Sequence, residues 1–149
     1  MQLTRFTDLG LRVVMLLATI GDDEAPSTRQ LADQLNVSYT HATKVTARLA
    51  ELAVVSTRRG RGGGLAITEL GRTAGVGWLA RRLEGSGEVI QCEGDAPCPL
   101  RSNCRLRGQL RRAQEAFFAV LDELTLAELA EPPTRAVLLS LHPSLHEAV

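Results

Sequence analysis

Between residues 27 and 72 the chain sets out, in unbroken order, a short helix, a tight turn, a second helix and a cationic hairpin. Ser27-Thr28-Arg29-Gln30 has the Ser-x-x-Gln form of a capping box, in which two side chains satisfy amides that a first helical turn leaves unpaired. Leu31, Ala32 and Leu35 give that helix a short buried side, and Asn36-Val37 breaks it before Ser38, a second good cap. In the helix that follows, Ala42, Val45, Leu49 and Leu52 share one stripe, which leaves Tyr39, Thr40, His41, Thr43, Lys44 and Arg48 largely outside it. The β-branched run 53–57, the turn Arg58-Arg59-Gly60-Arg61-Gly62-Gly63-Gly64 and the segment 65–68 then read as a β-hairpin, a wing. A polar helix of this kind fits the DNA major groove, and a basic turn beside it fits phosphate or the minor groove.

The flanks extend this unit. Phe6, Leu9, Val13, Leu16, Leu17 and Ile20 recur at three- and four-residue steps, the pattern of an amphipathic helix over 3–20, with Gly21 at its end. Another helix is expected over 73–83, although Gly75 and Gly77 weaken it. Residues 1–83 are therefore read as a winged helix-turn-helix domain. Residues 84–104 lack periodicity, contain Gly85, Gly87, Gly94, Pro97 and Pro99, and read as a loop. Beyond it Leu106, Leu110, Ala113, Phe117, Val120 and Leu124 step by four, three, four, three and four, a heptad stripe that gives a long helix a partner-facing seam. Thr125-Leu126-Ala127-Glu128 forms a further capping box for a short helix, which Pro132-Pro133 stops. Residues 105–131 are thus a dimerisation helix with a short helix after it, and 132–149 a tail without clear signal. The fold class is mainly α with a small β-hairpin.

Charge supports the DNA reading only when the chain is divided. The 17 basic and 17 acidic residues cancel, yet 27–72 holds seven Lys or Arg against three acids, while 113–149 holds one Arg against six acids. A locally basic module binds phosphate while an acidic tail lies elsewhere. The candidates for base edges or phosphates are Ser38, Tyr39, Thr40, His41 and Lys44, with Arg48, Arg58, Arg59 and Arg61 on phosphate or the minor groove. Thr28 and Arg29 complete the set at the start of the preceding helix. Taken singly, Lys44 or Arg48 reads equally well as a solvated helix face and His41 as a surface histidine; the ordered set is what points to DNA. No acid–base pair, nucleotide loop or triad arrangement appears, so the chain does not read as an enzyme.

All three cysteines lie in the loop, as Cys92, Cys98 and Cys104, separated by two equal gaps of five residues. The first residues lack a basic-then-apolar signal pattern, and the longest apolar run, 13–18, is far too short to span a membrane. The chain reads as cytoplasmic, where reducing conditions disfavour disulfides and leave metal binding or reactive thiols as the better accounts. Soft thiolates suit iron-sulfur clusters, zinc or copper(I). Structural zinc more often uses a Cys pair two to four residues apart, which is missing; a zinc-stapled interaction module remains the reading from another class. Cys104 stands where the long helix should begin, so the helix dipole and free amides there favour an anionic cluster, and Arg101, Arg105 and Arg107 add positive field. The bland alternative is three thiols without metal.

Three features together resemble a known family: the segment Met1-Gln2-Leu3-Thr4-x-Phe6-Thr7-Asp8-x-Gly10-Leu11-Arg12, the Arg59-Gly60-x-x-Gly63-Gly64 wing, and the cysteine spacing followed by Arg105-Leu106. The chain is similar to the nitric-oxide-sensing iron-sulfur repressors of the NsrR type, in the wider family that includes IscR. The resemblance implies a homodimer with long helices packed together, a cluster in each subunit near that interface, and an inverted-repeat DNA operator. It implies release of DNA on reaction with nitric oxide; a redox or iron-status sensor is the alternative within the same class. IscR-like proteins place a histidine ligand three residues after the third cysteine, where this chain has Arg107, a poor ligand because it stays protonated. A two-iron site of that type is therefore put in doubt, and a four-iron four-sulfur (4Fe-4S) cluster is preferred. Three thiolates leave one position of such a cubane open. His41 belongs to the recognition helix, and His142 and His146 to the unpatterned tail, so none of them suits it. Asp8, in the family-matching segment with Arg12 one turn later to balance its charge, is the candidate fourth ligand, against the plainer reading that Thr7-Asp8 caps the first helix.

Overall fold

A computed structural model describes residues 1–20, 24–60, 63–85 and 87–141. Helix α1 (Arg5–Thr19) begins at Thr4, whose hydroxyl accepts the Thr7 amide at 3.3 Å. The expected stripe is its buried face: Leu9, Val13, Leu16, Leu17 and Ile20 are all in the core, together with Leu31, Val45, Leu49 and Leu79 from the helices around it. Gly10 lets α5 approach, since a Cβ there would stand 2.5 Å from a Leu83 methyl.

Helices α2 (Thr28–Gln34) and α3 (Tyr39–Glu51) form the expected helix-turn-helix. The Ser27 hydroxyl accepts the Gln30 amide at 3.2 Å, and the Gln30 side-chain oxygen accepts the Ser27 amide at 2.8 Å, so both halves of the capping box are present. Asn36 makes the break by adopting φ +52°, a left-handed conformation its short polar side chain tolerates. Ser38 caps α3 through the His41 amide at 3.2 Å.

The wing is an antiparallel pair, β1 (Val55–Arg58) and β2 (Gly64–Ile67), in register from Val55 opposite Ile67 to Arg58 opposite Gly64. β2 buries Leu65, Ala66 and Ile67. Gly64 is obligatory because a Cβ would collide with the Ala25 carbonyl, while the next amide, Leu65, donates to Pro26 at 2.9 Å.

Three expectations need correction. The helix expected over 73–83 is α5 (Val76–Glu84), which begins three residues later, and a short helix that the sequence did not suggest, α4 (Glu69–Thr73), precedes it. Thr68 starts α4 by accepting the Gly71 amide at 2.9 Å. The chain then turns at Ala74-Gly75 so that its backbone can pair with 124–126: Val76 donates to Leu124 at 3.0 Å and Leu126 donates to Ala74 at 2.9 Å. Gly75 and Gly77, which weakened the sequence expectation, are the points of closest approach to the long helix α6 (Arg105–Leu121). A Cβ on Gly77 would strike the Phe118 carbonyl, and one on Gly75 the Asp122 carboxylate. The second correction concerns the tail, where residues 134–140 form helix α7 (Thr134–Ser140), with Leu138 buried against α1. Residues 142–149, with His142 and His146, lie outside the described residues.

The short helix expected after Thr125 is a 3-10 turn, Glu128–Ala130. Its capping box is formed: the Glu128 carboxylate accepts both the Thr125 amide and hydroxyl at 2.7 Å. These two bonds hold the Glu128 carboxyl below the usual carboxylate range.

Candidate nucleic-acid interface and metal centre

Burial of Ala42, Val45 and Leu49 turns the opposite face of α3 outward. Tyr39, Thr40 and Lys44 are exposed there, and Lys44 has no side-chain partner among the described residues. Arg29 at the start of α2 lays its guanidinium over the Tyr39 ring, 4.5 Å from the centroid, which joins the two helices at the outward surface. His41 is half-buried, with its ring 6.4 Å from Phe6 of α1. Arg48 is paired with Glu51 at 2.9 Å, so a phosphate would have to exchange with that carboxylate. Arg58 and Arg59 are exposed at the tip of the wing, Thr28 is half-buried, and Ser38 is committed to capping. Arg61 falls outside the described residues. The Arg29–Tyr39 stack could not be read from the sequence, since the two residues are separated by a turn whose angle it does not specify.

The second site is the cysteine loop. Cys98 donates its amide to the Cys92 carbonyl at 3.1 Å, and Arg101 donates to the Cys98 carbonyl at 3.1 Å, so the loop winds back on itself. Cys92 is 5% exposed, while Cys98 and Cys104 are half-buried. Burial pushes the Cys92 thiol up; the Arg107 guanidinium works against that, and the neighbouring Cys98, Glu88 and Cys104 add to it. The three thiols are spread over 13 residues of chain. As they stand, no three His, Cys, Asp or Glu side chains among the described residues converge on one point. Cys104 is the N-cap of α6, and its sulfur accepts the Arg107 amide at 3.4 Å. Beside it opens a cavity of about 440 Å³ lined by Arg101, Arg105, Arg107 and Arg111.

Asp8 lies in the first turn of α1 and is ion-paired with Arg12 at 2.9 Å, as the spacing implied, with both side chains about half exposed. Thr4 rather than Thr7 or Asp8 caps α1. The amino end of α1 is tied to the root of the loop, because the Glu84 carboxylate accepts the Thr4 amide at 2.7 Å and its hydroxyl at 3.1 Å.

Helix α6 has two working faces. Phe118 is buried against α5, under Arg81, whose guanidinium lies 4.6 Å from the ring and pairs with Glu115 at 2.8 Å. At the far end the Asp122 carboxylate accepts the Trp78 amide at 2.6 Å and so caps α5 in place of the side chain that Gly75 lacks. The heptad stripe from Leu106 to Val120 is the other face, and none of it is buried within the chain: Leu106 and Val120 are each 61% exposed, while Leu124, the last position of the expected stripe, lies beyond the end of the helix.

A helix-turn-helix with a two-stranded wing, followed by a long helix whose apolar seam is left outside, defines a winged-helix transcription regulator. Residues 3–132 match the Rrf2 family, described as an iron-dependent transcriptional regulator, and the chain belongs to that family. It is 58% identical over 142 residues to the HTH-type transcriptional repressor NsrR of Streptomyces coelicolor, covering 95% of this chain and 96% of that protein. It is 36% identical over 131 residues to the HTH-type transcriptional regulator NsrR of Halalkalibacterium halodurans, covering 87% and 90%. Among solved structures, the fold is similar to that of T. potens IscR with a TM-score of 0.71 at 21% identity, covering 91% of this chain and 90% of that one. The chain is a DNA-binding transcription regulator and not an enzyme. No helix among the described residues is long and apolar enough to cross a membrane.

Proposed function

We propose that the chain is a homodimeric repressor that binds an inverted-repeat operator and is released from it by nitric oxide, sensed through a 4Fe-4S cluster. The observation that carries this reading is that Cys92, Cys98 and Cys104 lie within 13 residues ahead of α6, the last as its N-cap, on a helix fastened at its other end to the reader domain. The name of the Streptomyces relative, a transcriptional repressor, supports the direction of regulation.

The donor set fits such a cluster. The loop offers three soft thiolates, a backbone amide already directed at one sulfur, and arginines around an open cavity, without the close Cys pair of structural zinc. A bound cluster supplies iron to which nitric oxide bonds directly. The protein's part is to hold that iron and to feel its loss. Cys92, Cys98 and Cys104 would hold it, and Asp8 of the partner subunit would supply the fourth donor, a carboxylate harder and more weakly matched to iron than thiolate. Cys104 transmits the change, because its sulfur also caps α6. From there Asp122 and Phe118 hold α6 on α5, α5 lies on α1, and α1 lies on α3, the helix that reads DNA. Tyr39, Thr40, Lys44, Arg29, Thr28, Ser38 and His41 contact base edges or backbone, and Arg48, Arg58, Arg59 and Arg61 the phosphates and minor groove.

The family's description as iron-dependent favours one second reading, a sensor of iron supply whose operator affinity follows iron loading alone. Anaerobic purification of the wild type, Cys98→Ala and Asp8→Ala, with iron and sulfide analysis, visible spectra and operator binding, tests the proposal. The wild type is expected to be brown and to bind, Cys98→Ala to be colourless and bind weakly, and Asp8→Ala to hold a less stable cluster. A colourless wild type carrying zinc contradicts the proposal.

A further inference from the structure

Among the described residues, Arg107 is the side chain that bonds to each stretch of the cysteine loop. Its Nε donates to the Glu88 carboxylate at 2.7 Å, four residues before Cys92. Its Nη1 donates to the Glu93 carboxylate at 3.1 Å, between Cys92 and Cys98, and to the Arg101 carbonyl at 3.4 Å, between Cys98 and Cys104. Its own amide donates to the Cys104 sulfur. The side chain is 27% exposed and that of Glu88 34%, which makes theirs the least exposed ion pair among those described. The loop has no helix or strand to hold it, so the folded positions of 88–104 depend on few bonds, and three of them end on one guanidinium.

We propose that Arg107 is a positioning residue, a clasp that folds the three-cysteine loop into a cluster-accepting shape before any iron arrives. The planar guanidinium suits the task because it reaches two carboxylates and a carbonyl at fixed angles, which an ammonium on a flexible stem does not. The guanidinium itself bonds Glu88, Glu93 and the Arg101 carbonyl, none of them a ligand position. Its attachment to α6 means that the same residue that shapes the loop also registers it against the long helix. The inference rests on the cluster reading of the loop, and its test separates the two.

Hydrogen exchange of the full-length, cluster-free protein, followed by the rate of anaerobic cluster reconstitution, is compared in wild type, Arg107→Gln, Arg107→Lys, Glu88→Gln/Glu93→Gln and the control Arg112→Gln, at an exposed α6 position outside the cavity lining. The clasp predicts that amides of 93–104 exchange about tenfold faster in Arg107→Gln, from loss of charge-assisted bonds at a partly exposed site. Exchange in α1 and α5 stays unchanged, and cluster uptake slows by a similar factor. The double glutamate variant reproduces this effect, combining it with Arg107→Gln adds little, and Arg107→Lys recovers part of it. Equal exchange in wild type and Arg107→Gln, or an equal effect from Arg112→Gln, overturns the clasp. A wild type that takes up no cluster while Arg107→Gln still loosens the loop overturns the cluster reading instead.

Discussion

Ala53 shows how a single residue carries a fold's constraint. It closes α3 at φ +57°, with Val54 donating back to Leu49 at 3.0 Å, the arrangement for which helices ordinarily use glycine. The side chain is exposed, so no packing offsets the left-handed conformation. Ala53→Gly is expected to stabilise the protein by about 0.5–1 kcal/mol, the left-handed penalty less the added freedom of the unfolded chain. Thermal unfolding should show Tm raised by about 2 °C, and an unchanged or lower Tm would contradict it. The reading residues are judged by their existing partners. Lys44 and Arg59 are exposed, whereas Arg48 is held by Glu51. Lys44→Ala and Arg59→Ala are therefore expected to weaken operator binding more than Arg48→Ala, and each should lower the salt slope by about 0.9 if it loses one phosphate. Binding isotherms at several salt concentrations check this ranking. The arginines and the caps at Ser27, Ser38 and Thr125 were legible in the sequence because local chemistry determines them, whereas the caps at Thr4 and Thr68 were missed; the Arg29–Tyr39 stack and the Phe6–His41 contact were not legible, because both depend on how helices cross.

At the scale of elements, α6 separates folding from assembly. Phe117 and Phe118 are adjacent, yet Phe118 is 1% exposed against α5 and Phe117 belongs to the outer seam. Phe118→Ala is expected to cost about 3–4 kcal/mol of protomer stability through the cavity it leaves. Val120→Glu, on the seam, should leave the protomer folded but convert dimers to monomers and weaken operator binding, as sedimentation and gel shift would show. A Val120→Glu dimer would put the interface elsewhere. The 3-10 turn after α6 responds to acid. Glu128 has its folded-state pKa lowered by the Thr125 bonds, so its contribution is present above the ordinary carboxylate pKa and is lost as pH falls through the folded value. Glu128→Ala should therefore narrow the stability difference between neutral and acid pH, measured by thermal unfolding across that range. The seam, the caps and the wing could be read from periodicity, because each is a repeat or a short motif. The break between α4 and α5 could not, because it answers to the distant Leu124 and Asp122, and α7 lacked a signal because its seven residues bury little beyond Leu138.

The whole molecule joins two sites that the sequence presents separately. The reader helix α3 rests on α1, α1 on α5, and α5 on α6, whose first cap is a cysteine of the loop. At the same end of the molecule Glu84 ties the start of α1 to the root of that loop. The three-cysteine loop and the cationic hairpin were each legible in the sequence as separate features, the one proposed to bind metal and the other to bind DNA. Their connection was not, because it runs through Asp122, Glu84 and Arg107, residues whose roles follow from tertiary contacts alone. The account's central claim is that iron chemistry in the loop sets the grip of α3 on DNA. The measurement that tests it most directly is an anaerobic titration of the cluster-loaded dimer with nitric oxide, with the visible spectrum and operator affinity recorded on the same samples. The account predicts that affinity falls in step with loss of the cluster spectrum, and that Cys98→Ala binds weakly and does not respond. Operator affinity that stays constant while the cluster spectrum disappears would contradict it.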